Sequence, residues 1–490
     1  MLTRFKVSGF KNMIDADICF GPFTCVAGAN GVGKSNLFDA ILFLAALAEK
    51  PILDAAMSVR DEKGKATDIK SLFHRVGNHS DYKISLEAEM IVPERAIDDL
   101  GQEAKAGITF LRYAVELAYI DDKRFGSQGA IELTKEELSH IKIGDAPRHI
   151  FFSNEKAWLK SAIKGRRTAP FISTETTDSG IRIKLHQDRG ESGGIPREFL
   201  AKNLPRTVLS TANAAESRTA LTVRREMQSW RLLLLEPSAL RRPDAFTAPS
   251  KLGFDGSHLP ATLYRLAKME KSSGENMEAQ IYSELSNRLS ELIDDVYKIE
   301  IDRDEKRELL TLEVKDREET VYSARDLSDG TLRFLAAAVI DLDTEAQGLI
   351  CLEEPENGIH PSRIPAMLSL LQDIPTDVDE AIGPENPLRQ VIVNTHSPAV
   401  VQQIPDDCLI VAELKEIIHQ ARRFKVVKFG YLSDTIRAKK LGGAGIVAKG
   451  KLLSYLNPVI PSETNRRSST RRVVDRSDME PLLLFPNKSK

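Results

Sequence analysis

The 490-residue chain has few aromatic side chains (6%), four cysteines, and no apolar stretch of membrane-spanning length. A transmembrane helix needs about 20 consecutive apolar residues, so none is expected. The opening segment MLTRFKVSGFKNM alternates polar and apolar residues as a strand does, without the apolar core and small-residue cleavage site of a secretory signal. A cytoplasmic location is therefore expected. Cys19, Cys25, Cys351 and Cys408 are scattered and form no CxxC pair, which argues against a thiolate zinc site and for buried, reduced thiols. Apolar heptads long enough for a coiled-coil arm are missing. So is any internal repeat of roughly 20 to 50 residues.

What remains is an ordinary globular composition, 42% hydrophobic and 28% charged, in a chain long enough for about two to four domain-sized units. Charge is unevenly spread. Residues 421–490 hold 16 Lys and Arg against 5 Asp and Glu, a net +11, within a chain whose formal total is −3. A basic end of this kind is either a nucleic-acid arm or a solvated tail.

The segment CVAGANGVGKSNLFDA, residues 25–40, carries the clearest chemistry. Gly28, Gly33, Lys34 and Ser35 fit G-x-x-x-x-G-K-[ST], with Asn30, Gly31 and Asn36 completing the loop. Glycines let backbone N–H groups close around a β-phosphate. The lysine reaches the β and γ oxygens, and the serine hydroxyl binds Mg²⁺. The context is right: FTCVAG reads as a strand, and SNLFDAILFLAALAEK reads as an amphipathic helix with Leu37, Ile41, Leu44 and Leu47 on one face.

A second apolar run, GLICLEEPENGIHP, ends in two acids. Glu353 stands where a carboxylate holds the metal, and Glu354 where one polarises the attacking water. Two acids after a strand can also simply start a helix, but the upstream phosphate loop favours the catalytic reading. LSDGTLRFLAAAV places Ser328 and Gly330 at a helix start, 25 residues before Glu353, where hydroxyl and backbone N–H groups face outward to receive an anion. QVIVNTHSPAV then puts His396 just past an apolar strand, within reach of a γ-phosphate or the attacking water.

These elements, in this order, resemble the ABC-type ATPase heads of the SMC, RecF and OLD-like group. They look especially like AAA-family ATPases with an LSxGT signature and an L-E-E-P-E-x-x-x-H-P Walker B motif, many of them from prokaryotic antiphage defence systems. The resemblance rests on specific motifs over residues 1–60 and about 250–405. It implies an α/β fold: an ABC-type P-loop NTPase head, a mixed sheet flanked by helices, with an antiparallel β lobe, an inserted α/β lobe and no long coiled coil. The expected organisation is an N-terminal ATPase lobe over 1–145, an inserted lobe over 146–258, a C-terminal ATPase lobe over 259–420 and a basic tail over 421–490.

The resemblance further implies a Mg²⁺-dependent ATPase, with Glu354, His396 and Lys34 catalytic and Ser35 and Glu353 on the metal. It implies that Ser328 and Gly330 act in trans on the nucleotide of a second subunit, so that ATP is sandwiched in a head-to-head homodimer. It also gives Lys11 and Asn12 a role beside the nucleotide. Two departures stand out: Glu353 replaces the usual aspartate, and Asp329 replaces the second residue of LSGG. No Q-loop glutamine can be placed.

Ser35 and Ser328 lie 293 residues apart, far beyond the roughly hundred that the resemblance gives for transport subunits, so transport is disfavoured. Only 94 residues follow His396, without the acidic DxD triad of a Toprim nuclease. The expected function is a nucleotide-gated sensor in antiphage defence, binding DNA or RNA and acting with a separately encoded effector, nuclease or Toprim in type. The alternatives are a RecF-like repair clamp and a slowly hydrolysing ATP-bound scaffold.

Overall fold

The computed structural model describes all residues except 60–68, 77–78, 81, 121–128, 189–194, 270–276, 294, 420–421, 444 and 449–490. The chain opens with β1 (Leu2–Ser8), β2 (Ala16–Cys19) and β3 (Phe23–Ala27), followed by α1 (Lys34–Leu47). Three long strands come next, β4 (Lys83–Ile91), β5 (Phe110–Ile120) and β6 (Ala130–His140), then β7 (Ile172–Thr177), β8 (Gly180–Leu185) and β9 (Arg197–Leu200). Beyond α2 (Arg218–Gln228), β10 (Arg231–Leu233) leads to α3 (Leu259–Met269), α4 (Met277–Ser290) and the hairpin β11 (Val296–Asp304) and β12 (Leu309–Asp316). The last part holds α5 (Asp329–Leu342), β13 (Gly348–Glu353), α6 (Ile364–Asp373), β14 (Arg389–Thr395), β15 (Leu409–His419) and β16 (Arg422–Gly430).

Two large sheets organise these elements. One is antiparallel, in the order β9-β8-β7-β6-β5-β4-β1-β2. The other runs β10-β13-β14-β3-β15-β16, parallel throughout except for its last pair. The phosphate-loop strand β3 is thus separated from the acid-bearing strand β13 by β14, which brings the C-terminal ends of all three together. Ligands bind at such ends in open parallel sheets.

Strand periodicity assigns side chains to two cores. Val26, Leu349, Cys351 and Ile392 enter a core shared with the antiparallel sheet, among Phe5, Leu86 and Val115. Their neighbours Cys25, Ile350, Leu352, Val391 and Val393 face the opposite side, against Leu263, Leu285, Leu335 and Leu371 of the helices there. The helix α1 differs from the amphipathic pattern read in the sequence. Phe38, Ala40 and Phe43 are buried along with Leu37, Ile41, Leu44 and Leu47, because the first core holds residues of both sheets and of α1. A helix apolar all round is one covered all round.

Residues 146–258 are divided between the sheets: β7 joins the antiparallel sheet through Leu138 and Ile172, while β10 pairs with β13. The segment HIFF, residues 149–152, ends a short helix at Ala146–His149 that Pro147 opens, and Ile150, Phe151 and Phe152 are buried, the first and last beside Trp158. The segment expected as a basic tail begins as strand β16, and Arg437 beyond it is buried; residues 449–490 lie outside the described part. Cys19, Cys25 and Cys351 are buried and Cys408 half-buried, all as free thiols. Among the described residues no helix is long and apolar enough to cross a membrane.

Candidate functional site

The loop after β3 is held from below: the Gly28 N–H donates to the Thr395 carbonyl at 3.2 Å. Gly33 then takes φ 108°, and a Cβ on it would lie 2.4 Å from Asn12 Nδ2. Only glycine tolerates both the conformation and the contact. The Lys34 ammonium turns back over the loop, donating to the Gly28 carbonyl at 2.7 Å and the Ala29 carbonyl at 3.1 Å. Burial pulls its pKa below the usual lysine value, against the attraction of Glu354, Glu356 and Glu353.

The acids arrive on β13. Glu353 pairs in register with Asn394 of β14, whose side-chain amide lies 3.5 Å from the Glu353 carboxylate. At Glu354 the backbone adopts φ 45°, an uncommon conformation for a non-glycine residue. Asn394 holds it there, accepting the Glu354 N–H at both its carbonyl and its side-chain oxygen, each at 3.1 Å. The Glu354 carboxylate accepts from Asn357 Nδ2 at 2.9 Å and meets His396 Nδ1 at 2.6 Å. Burial opposes its ionisation, but the Asn357 and His396 hydrogen bonds, with the His396 and Lys34 charges, hold it below the ordinary glutamate range. It is therefore a carboxylate at neutral pH.

Loop and acids face a common cavity of about 540 Å³. Its loop side is formed by Asn30, Gly31, Gly33, Lys34, Ser35 and Asn36, and its acid side by Glu353 and Glu354. A triphosphate is anionic and needs a cation and N–H donors on one wall. The opposite wall supplies carboxylates for a metal or a water. Ser35 and Glu353 fit Mg²⁺: both offer hard oxygen atoms, and Mg²⁺ is commonly held by one or two carboxylates together with substrate phosphates. Among the described residues no group of three or more His, Cys, Asp or Glu side chains is arranged as a metal cage.

Other expected residues lie elsewhere. Lys11 and Asn12 do not line the cavity. The Lys11 ammonium is 2.6 Å from Asp39 on α1, and Asn12 braces the loop by donating to the Val32 carbonyl at 3.0 Å and accepting from Asn36 at 2.9 Å. His396 is not among the cavity-lining residues either and meets the site only through its contact with the Glu354 carboxylate. Ser328 caps α5, accepting the Thr331 N–H at 3.2 Å, and is exposed at a separate cavity of about 540 Å³ with Gly330, Thr331, Ile359 and His360. Gly330 is buried against the chain that follows Glu354: a Cβ there would lie 2.4 Å from the Gly358 carbonyl oxygen.

Asn357, Asn394, Arg333 and Glu236 also line the phosphate-loop cavity and were not singled out from the sequence. A signal existed for Glu236. RLLLLEP, like GLICLEEP, is an apolar run ending in an acid and a proline, and β10 lies directly beside β13. Among the described residues no glutamine lines the cavity. Glu356, also overlooked, is buried, and its carboxylate accepts from the Thr395 hydroxyl at 2.5 Å.

Residues 23–90 and 173–402 match the model of a protein family described as "AAA domain, putative AbiEii toxin, Type IV TA system". No curated protein gives a significant match. Solved structures similar to this chain include an SMC head bound to the C-winged helix domain of ScpA, at 14% identity and TM-score 0.44, covering 87% of this chain and 97% of that one. The SMC head domain from Thermotoga maritima is 11% identical with TM-score 0.36, over 88% and 99% of the two chains. A Smc head with an extended coiled coil, bound to the C-terminal domain of ScpA and derived from Pyrococcus furiosus, is 12% identical with TM-score 0.40, over 90% and 98%. Since the family model spans more than half of the sequence, and the mixed sheet brings phosphate loop and acids to one cavity, the chain belongs to this AAA-domain family of ATPases.

Proposed function

We propose that the protein hydrolyses ATP as a head-to-head homodimer and works as a nucleotide-gated switch in antiphage defence, together with a separately encoded effector. The observation that carries the dimer is the division of the motifs: phosphate loop and acids line one cavity, while Ser328 is exposed at another. A signature tip turned away from its own phosphate loop has work to do only on a second copy.

In the closed site, Lys34 and the loop N–H groups hold the β- and γ-phosphates. Ser35 and Glu353 would hold Mg²⁺, which neutralises charge developing on the phosphates. Glu354, ionised and fixed by Asn357 and Asn394, orients the attacking water and draws off its proton. His396 pairs with Glu354 and fixes the carboxylate in the orientation this requires. The family's description, which names a "putative AbiEii toxin, Type IV TA system", supports an outlet through a partner protein. The net +11 of residues 421–490 supports contact with nucleic acid.

A mixing experiment tests the dimer. Lys34→Ala and Ser328→Arg proteins should each be inactive alone. Mixed one to one, half of the dimers are heterodimers with one intact composite site, so about a quarter of the wild-type turnover should return. No recovery from two folded variants, or full activity of Ser328→Arg alone, refutes the shared site.

A further inference from the structure

Two residues past Glu354 the chain turns down into the protein. The turn is closed by the Asn357 N–H donating to the Glu354 carbonyl and the Ile359 N–H to the Glu356 carbonyl, each at 3.0 Å. Glu356 is only 7% exposed. One of its carboxyl oxygens accepts from the Thr395 hydroxyl at 2.5 Å. The other, Oε2, is buried and has no hydrogen-bond partner among the described residues. Buried acids are costly, so an acid kept in such a place needs a reason.

Thr395 supplies it. This last residue of β14 is wholly buried and holds two working parts of the site. Its carbonyl accepts the Gly28 N–H at 3.2 Å, which ties down the first glycine of the phosphate loop. Its hydroxyl oxygen accepts the Ser397 N–H at 2.9 Å, which bends the chain around His396, the partner of Glu354. A hydroxyl has one proton to give, and here it goes to Glu356. The orientation of Thr395, and so of both attachments, is decided by one side chain that does not line the cavity.

The ionisable groups that face this carboxyl are Lys34 at the start of α1, Cys25 on β3, Glu354 beyond β13 and His396 beyond β14. Burial raises the Glu356 pKa against the pull of the Thr395 hydroxyl and its own backbone N–H, with the Glu354 charge adding to the rise and His396 opposing it. Neutrality has a use here. An ionised Glu356 would set another negative charge beneath a pocket for a triphosphate and compete with that ligand for Lys34.

We infer that Glu356 is a positioning residue for hydrolysis, which through Thr395 sets both the Gly28 end of the phosphate loop and the bend that carries His396. It acts as an uncharged hydrogen-bond acceptor. The inference rests on the hydrolysis reading above. Without the acceptor, the Thr395 hydroxyl is free to turn; the loop loosens and His396 tilts away from Glu354, so nucleotide affinity and turnover fall together.

The test uses the full chain and measures phosphate release against ATP concentration, with MgADP affinity by titration calorimetry. Glu356→Met keeps the volume but offers no acceptor: kcat should fall at least about tenfold, since small misplacements of reacting groups are costly, and MgADP binding should weaken at least about threefold. Glu356→Gln still accepts from Thr395 and is uncharged at every pH, so both quantities should return to within about threefold of wild type. Thr395→Val removes the donor and should reproduce the Met variant, which decides the matter if Glu356→Met does not fold. The double variant should be no worse than either single one, because the two side chains act as a unit. From about pH 5 to about pH 9 the ratio of Gln-variant to wild-type turnover should hold or rise, as the natural acid ionises and the amide cannot. Kinetics and MgADP affinity within about threefold of wild type in a folded Met or Val variant overturn the inference, as do additive losses in the double variant. A Gln variant as poor as the Met variant, or a ratio that falls with pH, shows the charged acid to be the working form and overturns it equally. A wild type that binds MgADP but releases no phosphate overturns the hydrolysis reading instead, and the MgADP affinity of the Met variant then still decides whether Glu356 holds the loop.

Discussion

Replacing Glu354 with glutamine should separate folding from chemistry. Glutamine is nearly isosteric with glutamate, and its oxygen can still accept the Asn357 amide. The φ of 45° at this position strains either residue by a similar amount, of order 1–3 kcal/mol, so that strain cancels in the comparison. The contact with His396 weakens, but it lies at a partly exposed position, with 29% of the Glu354 side chain and 40% of the His396 side chain accessible. Its loss therefore costs under about 1 kcal/mol. What the variant cannot do is accept a proton. Removing a positioned general base slows turnover by roughly 10²–10⁴-fold, equivalent to about 3–5 kcal/mol of barrier. Steady-state phosphate release, thermal melting and ATP-dependent dimerisation should be read side by side. The expected pattern is an almost unchanged melting temperature, a dimer that persists longer with ATP, and turnover lowered by at least two orders of magnitude. Turnover within a few-fold of wild type would falsify the assignment of Glu354 and, with it, the reading of the Glu354 and His396 pair as catalytic.

Two further expectations concern stability. Gly330→Ala sets a methyl group 2.4 Å from the Gly358 carbonyl oxygen; the forced separation should cost about 1–3 kcal/mol and lower the melting temperature, and an unchanged melt with normal turnover would show that α5 and the segment after Glu354 are free of one another. Glu136 is buried and accepts from the Val208 and Leu209 N–H groups and the Tyr113 hydroxyl, yet burial outweighs these bonds and raises its pKa from 4.5 to about 7. The folded state thus binds the extra proton, so this carboxyl's contribution to stability is full below about pH 4.5 and is lost as pH rises toward 7, by at most about 3 kcal/mol. Denaturant midpoints across that range should show the margin of wild type over Glu136→Gln narrowing as pH rises. A widening margin would mean that the three hydrogen bonds win over burial.

Much of the site was legible because phosphate chemistry constrains sequence locally. Glycines that must take positive φ, a lysine and a hydroxyl one residue apart, and acids at the end of an apolar strand all fall within short windows. The rest depends on which strands are neighbours. Asn394 reaches Glu354 only because β13 and β14 pair in register, and Glu236 faces the same cavity only because β10 lies next to β13. Neither adjacency leaves a mark in a single sequence. Arg333 reads as one more polar position on a helix until the fold brings Leu235 and Asn357 to it. Lys11 and Asn12 were singled out as nucleotide contacts, yet one is drawn to Asp39 and the other supports the loop from behind. Alternation of buried and half-buried residues is sharp in β5 and in the first half of β4, whereas the two faces of β7 to β9 differ little.

The partition of neighbouring strand residues between two cores has a consequence for how errors in this protein are caught. In β13, Cys351 faces one core and Leu352 the other, and Glu353 emerges at the cavity because of that same alternation. A slip of one position would turn apolar groups of the strand inside out on both sides of the sheet while rotating the acid away from Ser35. Mispairing therefore cannot spoil the catalytic geometry quietly. Any copy that completes its sheet has, by the same act, aimed its carboxylates.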